Sequence, residues 1–240
     1  MSLFSQIIDT IFPKDVSFLV ETQANLGSSY FKKTELKYIN QIWVATNYDQ
    51  ESIQNTIHRI KTGLEFSLVD QLFEAFWQQL LLSYQESLSL SEPQSIEFFE
   101  ALFDPKIKTL ITIVPPDPKR KLERGFALPQ LFAQKLVERL NKKANGKKTF
   151  QLDLIFDKKP VRQQTGLDRT QRLQNLDGKI TLSTQIPNSK LDLKSYLANY
   201  DAIFILDDIS TTGSTLNECA KVIKNCNLKI YGLVVASNSA

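Results

Sequence analysis

The hydrophobic and polar positions change rhythm along the chain. Residues 16–39 mix short apolar runs with Gly27-Ser28-Ser29 and Lys32-Lys33, which predicts a small loop-rich segment with a hairpin. Ile42-Trp43-Val44-Ala45 is short, β-branched and aromatic, and predicts a strand. From about Gln50, Ile53, Ile57, Ile60 and Leu64 recur at three- and four-residue spacing, placing them on one helix face. A second helix is predicted over Ser67 to Glu86, and a third over Ser95 to Phe103 between Pro93 and Pro105.

After Asp104-Pro105 the grammar becomes that of an α/β sheet. Thr109 to Val114 is a continuous apolar run ended by Pro115-Pro116, as in a strand buried on both faces. A polar loop is predicted from Asp117 to Gly125. Leu128, Leu131, Phe132, Leu136 and Leu140 then mark an amphipathic helix. A weak strand is predicted at Leu152 to Phe156, and residues 157–178 hold little that can pack. Ala202 to Leu206 is another buried strand, followed by a helix carrying Leu216, Cys219, Ala220 and Ile223, and by a last strand from Ile230 to Ala236. Strand–helix–strand units of this kind build parallel sheets flanked by helices. The reading is three stretches: a segment over 1–41, a helical region over 42–106 and an α/β core over 107–240.

Composition narrows the class. The 240 residues are 42% hydrophobic and 23% charged, as in an ordinary globular protein. Two cysteines exclude a disulfide-stapled scaffold, and the single histidine, His58, removes most Ser-His triad and zinc-hydrolase readings. His58 reads as an ordinary helix residue, and Trp43 and Trp77 as packing residues. No apolar run is long enough to span a bilayer, and Met1 to Gln6 lacks a basic leader, so no membrane association and a cytoplasmic location are expected. The net charge of +3 conceals a polarity. Residues 1–105 carry 6 Lys/Arg against 14 Asp/Glu, residues 106–172 carry 17 against 6, and residues 173–240 carry 6 of each. A middle third with a net charge of +11 predicts an anionic ligand. Within it Lys142, Lys143, Lys147 and Lys148 read as a solvated surface, while the arginines suit bidentate phosphate binding.

The most informative segment runs from Ile203 to Thr215, Ile-Phe-Ile-Leu-Asp-Asp-Ile-Ser-Thr-Thr-Gly-Ser-Thr. A buried strand ends in two acids, and a hydroxyl-rich loop with one glycine opens a helix. Helix starts offer unpaired N–H groups to phosphate, and ligands of parallel sheets bind outside the carboxyl ends of the strands. Paired carboxylates there can accept hydrogen bonds from a sugar diol and stabilise positive charge developing on the sugar. Neither G-x-x-x-x-G-K-[ST] nor G-x-G-x-x-G occurs.

This segment resembles the phosphoribosyl pyrophosphate (PRPP) motif of the type I phosphoribosyltransferases. Two further blocks resemble the ComF competence family within that superfamily. Val114 to Phe126 is similar to its "V-P … R-G-F-N" stretch, with Ala127 where the family usually has Asn. Gln164 to Gly178 is similar to its "Q-x-x-L-x-x-x-x-R-x-x-N-x-x-G" block, and Tyr48, Ile57 and Lys61 resemble an upstream helical stretch. The resemblance covers about residues 42–240. It implies an α/β, type I phosphoribosyltransferase-like parallel sheet flanked by helices, with a mainly helical N-terminal region.

The resemblance also implies roles. Asp207 and Asp208 would hold the ribose hydroxyls, and Ser210, Thr211, Thr212, Gly213, Ser214 and Thr215 would bind PRPP around its terminal phosphate. Pro115, Arg124 and Gly125 would form the pyrophosphate loop. Lys159, Arg162, Gln164, Arg172 and Asn175 would belong to a flexible loop that closes over the site. Asp207, Asp208 and Arg124 would be catalytic, with magnesium carried by the PRPP. Thr211 stands where purine-salvage relatives commonly have Asp, which turns the reading away from purine salvage.

ComF proteins commonly begin with a cysteine-rich zinc module, but no cysteine precedes Cys219. Cys219 and Cys226 cannot complete a four-ligand site, so they read as core residues, no zinc is expected, and residues 1–41 would be a metal-free remnant. Three roles remain open. One is an enzyme transferring ribosyl phosphate from PRPP, or a related ribosyl phosphate, to an unknown acceptor. Another is a non-catalytic module of competence and DNA uptake that binds single-stranded DNA, helicase or recombination proteins. The last is a degenerate scaffold.

Overall fold

The computed structural model describes residues 30–31, 36–90, 93–159, 178–183 and 192–238. Its centre is a six-stranded sheet. The strands are β1 (Tyr30–Phe31), β2 (Gln41–Asn47), β3 (Thr109–Ile113), β4 (Gln151–Leu152), β7 (Ala202–Ser210) and β8 (Lys229–Ser237). They lie in the order β1-β2-β8-β7-β3-β4. The pairs from β2 through β4 are parallel, and β1 is added antiparallel to β2. Beside it stands a two-stranded antiparallel pair, β5 (Phe156–Lys158) with β6 (Ile180–Leu182). The fold is therefore α/β with a five-strand parallel sheet flanked by helices.

The helices are α1 (Glu51–Gly63), α2 (Ser67–Leu90), α3 (Pro93–Phe103), α4 (Pro118–Arg124), α5 (Leu128–Ala144), α6 (Leu193–Leu197) and α7 (Ser214–Ile223). They form two layers. On one face, α1, α2, α3 and α5 pack with Trp43, Ile111, Phe204, Tyr231 and Leu233 of the sheet. On the other, α7 and Leu197 of α6 pack with Val44, Leu110, Ile203, Ile205 and Val234. Alternate strand residues serve opposite faces, so these strands are apolar throughout. Phe98 of α3 ties its layer to the sheet, its ring lying 5.1 Å from Phe204 and 5.4 Å from Tyr231 edge-on.

The predicted periodicities hold for the main helices. Ile53, Ile57 and Ile60 of α1 are buried, as are Leu128, Phe132, Leu136 and Leu140 of α5. Leu64 departs from its predicted face, because the chain turns left-handed there (φ 56°) and leaves the side chain half exposed. In the stretch over 42–106, strand β2 pairs with β8, and the helices share one core with β3, β7 and β8. The weak strand expected over Leu152 to Phe156 divides, Gln151–Leu152 joining the main sheet and Phe156–Lys158 the small one. Most of residues 1–41 and residues 160–177 lie outside the described residues.

Two further expectations are corrected. Cys226 lies beyond the end of α7 at Ile223 and is half buried, while Cys219 is fully buried on the helix. Lys148 is not a solvated surface lysine. It is buried, and its ammonium donates to the carbonyls of Ala101 (3.0 Å), Leu102 (3.3 Å) and Asp104 (3.1 Å). These carbonyls lie at the C-terminal end of α3, where the helix dipole favours a cation; that of Ala101 also accepts the Thr109 hydroxyl, and that of Asp104 the Ile107 N–H. Burial draws the Lys148 pKa down to about 8.

Candidate functional site

The strand order reverses between β3 and β7. The chain leaves β3 through α5 toward β4 on one side, and leaves β7 through α7 toward β8 on the other. Such a reversal opens a crevice at the carboxyl ends of the two strands. Proline deepens it here. Val114 still donates to Leu206 (2.9 Å), but Pro115 and Pro116 have no N–H, so β3 ends. β7 continues to Ser210 along β8, pairing Asp207 with Val234 and Ser210 with Ser237. The side of β7 that β3 has vacated carries the two acids.

The resulting cleft holds about 310 Å³. Its acids are Asp117, Asp207 and Asp208, and its cations are Lys61, Arg120, Lys121, Arg124 and Lys158. Pro115, Phe126, Ile209 and Thr215 complete much of the wall. Cations outnumber acids, so the cleft suits an anion.

Asp207 is buried, and its Oδ1 accepts the Asp208 N–H at 2.9 Å. Burial, reinforced by the neighbouring Asp208 charge, pushes its pKa well above the usual carboxylate range. Asp208 is engaged at both oxygens. Oδ1 accepts the Ile209 N–H at 2.8 Å, and Oδ2 pairs with Lys61 Nζ at 2.6 Å. That ion pair is sheltered, with side chains 21% and 13% exposed.

The loop after β7 is braced from within. The Ser210 hydroxyl is buried and accepts the Gly213 N–H at 3.1 Å. Gly213 takes φ 73° and precedes α7. Thr212 Oγ1 donates to Ser214 Oγ at 3.0 Å and accepts the Ser214 N–H at 3.3 Å. Thr215, in the first turn of α7, faces the cleft.

Across the cleft, the segment predicted as a polar loop contains α4. Asp117 caps it by accepting the Lys119 and Arg120 N–H groups, Pro118 occupies its first turn, and Gly125 closes it at φ 77°. None of its residues is buried. Its Arg120, Lys121 and Arg124 reach the cleft wall.

Thus Asp207, Asp208, Arg124, Pro115 and Thr215 share one cleft. Thr211, Thr212, Gly213 and Ser214 form the turn leading to Thr215, Ser210 points inward as a brace, and Gly125 ends α4. Lys159 is exposed just after β5, its N–H donating to the Lys179 carbonyl at 3.0 Å. Arg162, Gln164, Arg172 and Asn175 lie outside the described residues. Lys61, Arg120, Lys121 and Lys158 were not among the expected site residues. One signal for Lys61 was available: it stands four residues after the buried Ile57, at the edge of the inward face of α1.

Among the described residues, no group of three or more His, Cys, Asp or Glu side chains could hold a metal by itself. Two carboxylates at a strand end do suit a hard cation such as magnesium, which takes one or two carboxylates and fills its shell with water and ligand phosphates. Nor is any helix among the described residues long and apolar enough to cross a membrane.

Fold and cleft define an α/β protein with a crevice, lined by more cations than acids, at the reversal of its strand order. No family model matches the chain, and no curated protein is significantly similar to it.

Proposed function

We propose that the chain is a PRPP-binding, type I phosphoribosyltransferase-like protein of the ComF type, transferring ribosyl phosphate to an acceptor nucleophile with release of diphosphate. The observation that carries this reading is the convergence, at one strand-order reversal, of the Asp207–Asp208 pair, the Thr215 helix start and the Arg124 loop. A ligand with a sugar diol flanked by a phosphate and a diphosphate matches that arrangement. Its diol would meet the acids, its single phosphate the turn from Thr211 to Thr215, and its diphosphate Arg124, Arg120 and Lys121.

In the transfer, the bond between the anomeric carbon and the diphosphate oxygen breaks, and its electron pair leaves with the diphosphate. The acceptor's lone pair forms the new bond to that carbon, and the acceptor's proton passes to water. In this reading the carboxylates of β7 would stabilise positive charge developing on the sugar, and the arginine-bearing wall the negative charge of the leaving diphosphate. Magnesium carried by the PRPP, with Asp207 and Asp208 beside it, would supply charge neutralisation of the leaving diphosphate. Calorimetric titration with PRPP and magnesium tests the reading. Saturable binding that is lost in Asp207→Asn/Asp208→Asn is expected, and absence of binding to the parent protein would overturn it.

A second reading has one observation in its favour. α4 exposes Lys119, Arg120 and Lys121 beside the cleft, a surface suited to a nucleic-acid backbone. Under this reading the chain is a non-catalytic competence module for single-stranded DNA. Its signature is DNA affinity that falls steeply with salt.

A further inference from the structure

The ion pair between Lys61 and Asp208 joins parts of the chain with different duties. Lys61 lies in the last turn of α1, in the helical layer, whereas Asp208 belongs to the open end of β7. The pair uses what remains of Asp208. One carboxylate oxygen already accepts the Ile209 N–H at 2.8 Å, and the other lies 2.6 Å from the ammonium. Any cation that bonds this second oxygen must share it with Lys61 or displace it. Displacement is resisted, because a sheltered ammonium that loses its counterion is strongly disfavoured unless another anion receives it. The same cleft offers space for such an anion beside Arg120, Lys121, Arg124 and Lys158.

We infer that Lys61 guards Asp208, withholding the carboxylate from a free divalent cation and releasing it when an anionic ligand arrives to take the ammonium. The inference deepens the PRPP reading and rests on it for the identity of the ligand. It makes Lys61 a positioning residue that couples cation binding to diphosphate binding. Such coupling is reciprocal: each ligand raises the affinity of the other by the same factor. A cation alone, or a sugar without a diphosphate, leaves the guard in place.

The test follows Mn²⁺ by electron paramagnetic resonance, with no organic ligand present. Lys61→Met is expected to bind Mn²⁺ at least tenfold more tightly than the parent, and adding Asp208→Asn should remove the gain. Lys158→Met controls for the mere removal of a positive charge from the cleft and should give less than a fifth of the Lys61→Met effect. Inorganic diphosphate should raise Mn²⁺ affinity tenfold or more in the parent and much less in Lys61→Met. Unchanged affinity in Lys61→Met, or equal gains in the two lysine variants, overturns the guard. Lys61→Gln repeats the comparison should the methionine variant fail to fold. Because the arms use only Mn²⁺, with or without inorganic diphosphate, failure of PRPP to bind would end the transferase reading without deciding the guard.

Discussion

Ser237 donates its hydroxyl to the carbonyl of Ser210, locking the last residue of β8 to the last residue of β7. Ser210 in turn accepts the Gly213 N–H through its own hydroxyl, so two buried serines carry the order of the sheet into the turn that opens α7. A buried N–H left without an acceptor costs about 1–3 kcal/mol. Ser210→Ala should therefore lower the unfolding free energy by about that amount. If the turn binds phosphate as proposed, the variant should also bind it more weakly, although Ser210 itself does not line the cleft. Urea unfolding beside a phosphate titration checks both effects. Wild-type stability in the variant would mean that the brace is not needed.

Gly213 presents a different demand. Its φ of 73° is left-handed, and a Cβ built there would lie 2.8 Å from Leu36 Cδ1 and 3.3 Å from Ile42 Cδ1. The backbone strain is about 1–2 kcal/mol for a residue with a Cβ. The contacts add a smaller cost, since both neighbouring atoms are ends of flexible side chains. Gly213→Ala should thus melt at lower temperature, and Gly213→Val lower still. A thermal melt of the three proteins gives the order.

How far the sequence foretold this site depends on the range of the interactions. The run from Ile203 to Thr215 is local: an apolar strand, two acids, hydroxyls and a glycine follow one another, so strand, turn and helix were all legible. The strand at Thr109 to Ile113 was legible for the same reason. α4 was missed although its signals are present, with Asp117 and Pro118 opening it and Gly125 closing it. Its lack of any buried face hid the periodicity that usually reveals a helix. β5 and β6 are too short, at three residues each, to show alternation. The partner of Lys61 and the burial of Lys148 were beyond local reading. Lys61 meets its acid only when α1 packs beside β7, and Lys148 is buried only where α3 ends against it.

Lys148 supports a direct stability test. Its ammonium satisfies three carbonyls at the end of α3 while its stem is covered. Lys148→Met keeps the stem and removes the donors. It should destabilise the protein by about 1–3 kcal/mol through the loss of these charge-assisted bonds, that to the Leu102 carbonyl included. Exposed Lys147→Met, one residue away, should change stability by less than about 0.5 kcal/mol, as surface substitutions generally do. Equal effects of the two substitutions would return Lys148 to the surface set.

Asp207 links the site to the pH dependence of folding. Burial, together with the Asp208 charge, pushes its pKa up to about 8, against the Lys61 ammonium, which acts the other way. In the unfolded chain the same carboxyl ionises near the ordinary aspartate value of 3.8. Between these limits the folded protein binds more protons at this residue than the unfolded chain does. Stability therefore falls as the pH rises through that window, by at most about 1.4 kcal/mol per pH unit from this one group. Asp207→Asn removes the titration while keeping the size of the side chain. Its stability should be close to that of the parent near pH 4 and should exceed it progressively toward pH 8. The difference between the two urea midpoints, followed across this range without ligand or metal, isolates the Asp207 contribution from every other titrating group. A difference that stays constant with pH would mean that Asp207 is ionised in the folded protein from the acid end of the range.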